Sequence, residues 1–461
     1  MISRPSILEP QAEALVLTTD KTSKNIILAA FEVQGLVDIS ALKSVVSEIG
    51  HFFPEIGATL KEFKNNGRYY LGWDFQRMLD IPLFVTDVNG KDMVIPGFDT
   101  LIKYLEPRLN RERDIFREPA CEFHDLRLGA NRHILACILW HPSGDAVRMA
   151  EIVKTSVARY HELVCGGKAS FSDIPASVST GDKRSIQTGN TRLTDYWRTA
   201  CQAIIPYRKC SLPYGVGVTG DENEHHVKRV FSVRESTDIV LRAKKTRVPF
   251  VDYLLAAMAL SIERWNDTHK VDTSVISAAL TVNMQGRLEN YQSPNNDSVI
   301  YFRFSREQRK DPVSFARQVF RFRLRKFREG ADLKYIKGLS KLNHLFKLLP
   351  FHFRQNAYVK ILSKHQTSFA LGFIGVLWPE SQGRKITGDS YLKSVGGLDF
   401  IEAHGMAYRI FSGTPLYLTA YFFQKRLNLI LSAQPWKFQK NEAQDFLDLL
   451  SDTNMRFGDK M

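Results

Sequence analysis

The stretch Ile134-Leu135-Ala136-Cys137-Ile138-Leu139-Trp140-His141-Pro142-Ser143-Gly144-Asp145 decides the reading of this chain. An unbroken apolar run leads into a histidine. A short turn follows, then an aspartate. After it, Val147, Ala150, Val153, Val157 and Leu163 recur at helical spacing over about five turns. A strand that delivers an imidazole to a turn, with a carboxylate at the turn's far end, is a way to position a general base. Of the twelve histidines, only His141 has an aspartate four residues on. The plain alternative is a core histidine at a strand end with both ring nitrogens satisfied.

The pattern around this stretch alternates strand and helix. Ile26 to Val33 reads as a buried strand, and Asp38 opens a helix carrying Leu42, Val45, Val46 and Ile49 on one face. Ala58–Phe63 and Arg68–Trp73 flank Asn65-Asn66-Gly67 as a hairpin, and Glu122–Leu128 pairs with His133–Trp140 in a second. Pro82–Val85 is a short strand and Phe98–Leu105 a short helix. Residues 166–192, rich in Gly, Ser, Thr and Lys, read as an interdomain linker. Beyond it come a helix over Leu193–Ala203, a strand His226–Val233 and helices Ser236–Lys245 and Pro249–Trp265. A strand Val275–Val282 runs into a polar loop through Asn296. Strands Thr367–Trp378, Leu416–Phe423 and Leu427–Ser432 and a closing helix Asn441–Leu450 finish the chain. The fold class is therefore α/β (α+β), two similar sandwiches packed together, divided into residues 1–180 and 181–461.

Composition narrows the function. At 461 residues with 44% hydrophobic and 24% charged residues, the chain is long enough for two cores and ordinary for a globular protein. No apolar run approaches the ~20 residues of a membrane span, and the N-terminus lacks a secretory apolar region. Cys121, Cys137, Cys165, Cys201 and Cys210 form no metal or disulfide spacing and read as reduced thiols of a cytoplasmic protein. The net charge of +14 is local. Residues 303–364 hold seventeen Lys and Arg against four acids, a net +13. No nucleic-acid module accompanies this segment. His225-His226, His365 and His404 show no metal spacing.

Trp140-His141-Pro142-Ser143-Gly144-Asp145-Ala146 resembles the His-His-x-x-x-Asp-Gly signature of the chloramphenicol acetyltransferase and condensation-domain superfamily. That superfamily also holds polyketide-associated acyltransferases, alcohol acetyltransferases and wax ester synthases. Phe53-Pro54-Glu55-Ile56, Thr281-Val282-Asn283-Met284-Gln285-Gly286-Arg287 and Ala370-Leu371-Gly372-Phe373-Ile374-Gly375 look like its other ordered elements. The resemblance implies a V-shaped pseudo-dimer of two such sandwiches with a central tunnel. It implies a thioester-dependent acyltransferase with catalytic His141 and Asp145, and Trp140, Ala146, Asn283 and Arg287 as motif and structural positions. Gly57 stands where the superfamily has an arginine paired to the motif aspartate. Arg148, Arg287 or backbone donors are the replacements to expect. Gly144 and Ser368 are oxyanion-donor candidates by position.

Expected partners follow from the same resemblance. The donor is acyl-CoA or an acidic acyl carrier protein, so CoA or phosphopantetheine enters as substrate and no cofactor or metal is bound permanently. The acceptor is a small-molecule or lipid alcohol or amine, esters being favoured over amides. Nucleic acid is not expected, and the chain reads as a monomer. The basic segment has three readings. It is a solvated helical face with Arg317, Arg321, Arg325 and Arg328 opposite Phe320, Leu324 and Phe327. It is a donor-docking surface using Arg321, Arg325, Lys326 and Arg328. Or Lys337–Leu362 is an interfacial element for peripheral contact at the inner membrane face. Other functional readings are a catalytically degenerate carrier-binding protein and a membrane-surface lipid acyltransferase.

Overall fold

A computed structural model describes residues 6–19, 24–88, 97–166, 210–217, 223–284, 294–362, 366–377, 394–408 and 413–459. In chain order the elements are β1 (Ser6–Ile7), α1 (Pro10–Thr18), β2 (Ile26–Gln34), α2 (Ile39–Phe52), the turn α3 (Pro54–Gly57), β3 (Ala58–Asn65), β4 (Arg68–Met78), β5 (Leu83–Asp87) and α4 (Gly97–Asn110). Then come β6 (Cys121–Gly129), β7 (Arg132–Trp140), α5 (Ala146–Cys165), β8 (His225–Val230), α6 (Val233–Thr246), α7 (Phe250–Thr268), β9 (Val275–Asn283) and β10 (Asp297–Ser305). The rest are α8 (Pro312–Arg328), α9 (Ala331–Phe346), α10 (Phe351–Leu362), β11 (Phe369–Val376), β12 (Ser394–Val395), β13 (Leu398–Tyr408), β14 (Leu416–Phe423), β15 (Arg426–Ala433) and α11 (Lys440–Met455).

Local chemistry accounts for the expected elements. Asp38 caps α2 by accepting from the amides of Ser40 and Ala41 at 2.8 and 3.0 Å, and Leu42, Val45, Val46 and Ile49 are its buried stripe. Asn66 and Gly67 take the left-handed region, φ 47° and 75°, as a two-residue hairpin turn between β3 and β4 requires. The expected helix Leu193–Ala203, nearly all of the linker and Cys201 lie outside the described residues.

Two six-stranded sheets form the framework, ordered β12-β13-β2-β7-β6-β5 and β10-β9-β11-β14-β15-β8, beside a three-stranded sheet β1-β4-β3. The first sheet buries one core with α2, α4 and α5. The second buries another with α6, α7, α8 and α11. Two mixed lobes are thus present, and the halves of the chain interlock: β13 pairs antiparallel with β2 over Tyr408↔Ile26 to Asp399↔Gln34.

One element departs from expectation. Residues 297–305 form β10, antiparallel to β9 with Asp297 opposite Asn283, a strand the sequence reading does not include. Alternation on β10 sends Ile300, Phe302 and Phe304 into the helix-covered core and Val299 to a separate cluster with Tyr301, Tyr335 and Tyr417. Much of the apolar side of Lys337–Leu362 is packed inside the protein. Leu339, Leu342, Phe351 and Tyr358 are buried against α1, β3 and β4 of the first half, together with Trp140. Leu348 (63% exposed), Leu349 (39%) and Phe353 (64%) are the segment's exposed large apolar groups. Among the described residues, no helix is long and apolar enough to cross a membrane.

Candidate active site

The central strand β7, hydrogen-bonded between β2 and β6, ends at Trp140 and hands His141 to a 3₁₀ turn. That turn is held from several sides. The His141 amide donates to Asn25 at 2.7 Å, just beyond the start of β2, and Ser143 Oγ donates to the Trp140 carbonyl at 2.6 Å. The Gly144 amide donates to the His141 carbonyl at 3.1 Å. It is thereby engaged in closing the turn, which corrects its reading as an oxyanion donor.

Asp145 caps α5, accepting from the amides of Val147 and Arg148 at 3.0 and 2.9 Å. Its other oxygen accepts from the Asn296 amide at 2.8 Å, and its own amide donates to the Pro294 carbonyl at 3.2 Å. Backbone donors therefore hold Asp145 where an arginine partner was one expectation. Arg148 instead pairs with Glu55 and Glu151 at 3.0 and 2.9 Å, and Arg287 lies outside the described residues. At Gly57 a Cβ would stand 3.0 Å from the flexible end of Met78 and 3.1 Å from the Leu79 carbonyl, so a side chain there requires both neighbours to give way. Burial raises the Asp145 carboxyl above its ordinary range, and the three amides oppose that shift. Asp145→Ala should cost about 2–4 kcal/mol, combining a lost cap with a stranded buried amide at Asn296. Chemical denaturation of the variant measures it.

The segment Pro294–Asp297 brings the second lobe onto the motif. Asn295 Nδ2 lies 2.8 Å from the His141 carbonyl and 2.9 Å from Nδ1 of its ring. On the other side, His141 Nε2 faces Asp297 Oδ2 at 3.8 Å. Burial drives the imidazole down to about 4, against hydrogen bonding to the backbone at His141 and Gly144. Burial and the neighbouring Asp145 charge drive Asp297 well above the carboxylate range. His141 is 6% exposed, yet Asp297, equally deep by its surroundings, keeps 20% of its side chain accessible. Tyr335 and Tyr417 share that combination of depth and partial accessibility. Groups far from the outer surface that retain accessible area border interior space.

Other expected positions fall elsewhere. Ser368 is sealed at the start of β11: its hydroxyl donates to Ser211 at 2.6 Å and accepts from the Ser277 amide at 3.0 Å. Ser277 is six residues from Asn283 along β9, roughly 20 Å, so Ser368 is corrected as an oxyanion donor. Arg321, Arg325, Lys326 and Arg328 lie on α8, which packs on the face of the second sheet opposite to Asp297. They stand on an outer face and do not line the site. Trp140 is core, packed with Leu8, Leu17 and Leu342. Ala146 begins α5, and Asn283 stands beside Asp297 in the β9–β10 register. Sequence reasoning missed Asn295 and Asp297. The apolar alternation that follows Asp297 was their available signal.

No family model matches the sequence, and no curated protein matches it. Solved structures do match its fold. The trichothecene 15-O-acetyltransferase TRI3 of Fusarium sporotrichioides aligns with a TM-score of 0.68 at 12% identity, covering 99% of this chain and 95% of that one. The first condensation domain of the CDA synthetase gives 0.64 at 11% identity, with 99% and 97% covered. A starter condensation domain of the rhizomide synthetase RzmA, a mutant in complex with C8-CoA and Leu-SNAC, gives 0.62 at 11% over 99% and 95%. The chain has the chloramphenicol acetyltransferase-like, condensation-domain fold. Within this condensation-domain fold, the Trp140–Ala146 turn sits where strand β7 meets the second lobe.

Proposed function

We propose that this chain is an acyltransferase that moves an acyl group from a thioester donor, CoA- or carrier-bound, to a hydroxyl or amine acceptor. The observation that carries the reading is the seating of His141: an imidazole held neutral at the seam of two lobes, with Nε2 turned toward partly accessible Asp297. In this scheme Nε2 takes the acceptor proton as its oxygen or nitrogen attacks the thioester carbonyl. The proton then passes to the departing thiolate. No protein nucleophile is required, since the thioester is already activated. Asp145 fixes the turn and does not touch substrate. The fold neighbours support the scheme, one having been solved with C8-CoA bound.

A second reading has its own observation. Asn295 Nδ2 at 2.9 Å from Nδ1, if it donates there, leaves the ring proton on Nε2 and removes the base. The chain would then bind acyl carriers without turnover. Incubation with acetyl- and octanoyl-CoA and a panel of alcohols and amines, followed by thiol release, separates the two. Release above the uncatalysed rate that needs both acceptor and His141 supports transfer, and its absence supports binding alone.

The pH profile gives a further check. With the imidazole pKa lowered to about 4, the base is unprotonated throughout the neutral range, and activity falls only as pH drops toward that value. The log of kcat/KM should therefore stay level from pH 8 to pH 6. A half-loss near 6.5, where an ordinary histidine titrates, would show that burial does not control the group.

A further inference from the structure

We propose that Asp297 selects the acceptor, reading a protonated amine on a carbon next to, or one removed from, the carbon that bears the reacting hydroxyl. The inference rests on the acyl-transfer reading and names its substrate class: amino alcohols, acylated on oxygen.

Among the described residues, little positive charge stands near the Asp297 carboxylate. Asp297 stands at the first residue of β10, and among the described residues His141 is the one basic group within ion-pair distance, at 3.8 Å. Among the described residues, the other groups facing it do not supply a cation. Asp145 adds negative charge, Asn295 and Thr281 are neutral, and the Tyr417 hydroxyl is hydrogen-bonded to Thr281. A charged carboxylate away from bulk water costs several kcal/mol unless it is paired. The neighbouring imidazole is itself held neutral by burial, so it does not serve as the counter-ion. A substrate ammonium does. Desolvation lifts the Asp297 carboxyl, and an ammonium beside it opposes that rise by favouring the charged form.

Distance sets the substrate's geometry. A hydroxyl about 2.8 Å from Nε2 and an ammonium about 2.8 Å from Oδ2, on anchors 3.8 Å apart, are met compactly by a linker of two or three carbons. The ammonium is not nucleophilic, so the reaction is O-acylation. The O–H proton moves to Nε2, a C–O bond forms at the thioester carbonyl and the C–S bond breaks. The proton then leaves on the thiol, and the ammonium stays on Asp297 throughout.

The test uses the full chain with octanoyl-CoA at pH 6, where an amino ester persists. Ethanolamine is compared with propanol, and phenylalaninol with its analogue carrying methyl in place of ammonium. Thiol release and product mass are read for wild type, Asp297→Asn and His141→Ala. The expected result is a preference for the amino alcohols of about ten- to hundredfold in kcat/KM in the wild type, with the ratio within each pair falling to near one in Asp297→Asn. Equal rates on both members of each pair, or an N-acyl product, would overturn the proposal. Calorimetry of phenylalaninol binding keeps the two readings apart. Binding lost in Asp297→Asn upholds the amine site even where thiol release does not depend on His141. Binding unchanged by that substitution refutes it.

Discussion

Replacing His141 by alanine is expected to lower kcat/KM for thioester-dependent transfer by ~10²–10⁴-fold, the usual contribution of a positioned general base. The loss should come from the ring and not from the fold. The contacts that hold this turn are main-chain contacts: the His141 amide to Asn25, the His141 carbonyl to Gly144 and to Asn295 Nδ2, and the flanking Asp145 cap. All of these survive truncation at Cβ. The variant loses a buried imidazole and its contact to Asn295, costing stability about as a modest cavity does, near 1–3 kcal/mol. Circular dichroism and a urea titration monitor that cost, while thiol release measures the chemistry. A folded His141→Ala protein with wild-type release would remove the base from the mechanism. Asn295→Ala discriminates further. If the amide pins the proton on Nε2, its removal should raise activity; if Asn295 only braces the His141 carbonyl, activity should fall slightly.

Much of the first lobe was legible because its elements are locally determined. The apolar run of β7, the Asp38 and Asp145 caps and the Asn66-Gly67 turn each carry their instruction within a few residues. The same holds for His141 and Asp145, which lie on one turn. Their partners were not legible from spacing. Asn295 and Asp297 are 154 and 152 residues from Asn295's contact His141 and from Asp145, respectively, and reach the motif through the pairing of β10 with β9. β10 was hidden because Arg303, Arg306 and Arg309 colour its end as charged chain. In fact Arg309 is fully buried and pairs with Glu263 at 3.0 Å. Counting charge across residues 303–364 suggested a surface device. Burial divides that charge into structural pairs, such as Arg323 with Asp252 at 2.7 Å, and a smaller exposed remainder on α8.

The largest stability effect should come from one of those structural charges. Arg354 of α10 is fully buried, with one nitrogen 2.7 Å from Glu13 of α1 and another 3.0 Å from Glu62 of β3. Glu13 is itself buried, and Lys347 is its remaining cation at 3.7 Å. Truncation to alanine strands a carboxylate inside the junction of α1, β3 and α10, so Arg354→Ala should cost about 3–5 kcal/mol. Glu62, at a more open position, turns to water and adds little. Burial already raises the Glu13 carboxyl, with Lys347 and Arg354 opposing. Without Arg354 that rise grows. A carboxyl raised in the folded state stabilises below its unfolded pKa and loses that contribution as pH climbs through the folded value, so the deficit should be smaller at pH 5 than at pH 8. Urea midpoints at both values measure it. Adding Glu13→Leu to Arg354→Met should recover most of the loss, because a buried pair replaced by apolar groups of similar volume is often neutral while half a pair is not. A double variant as weak as Arg354→Ala would mean that packing, not stranded charge, ties the second half of the chain to α1.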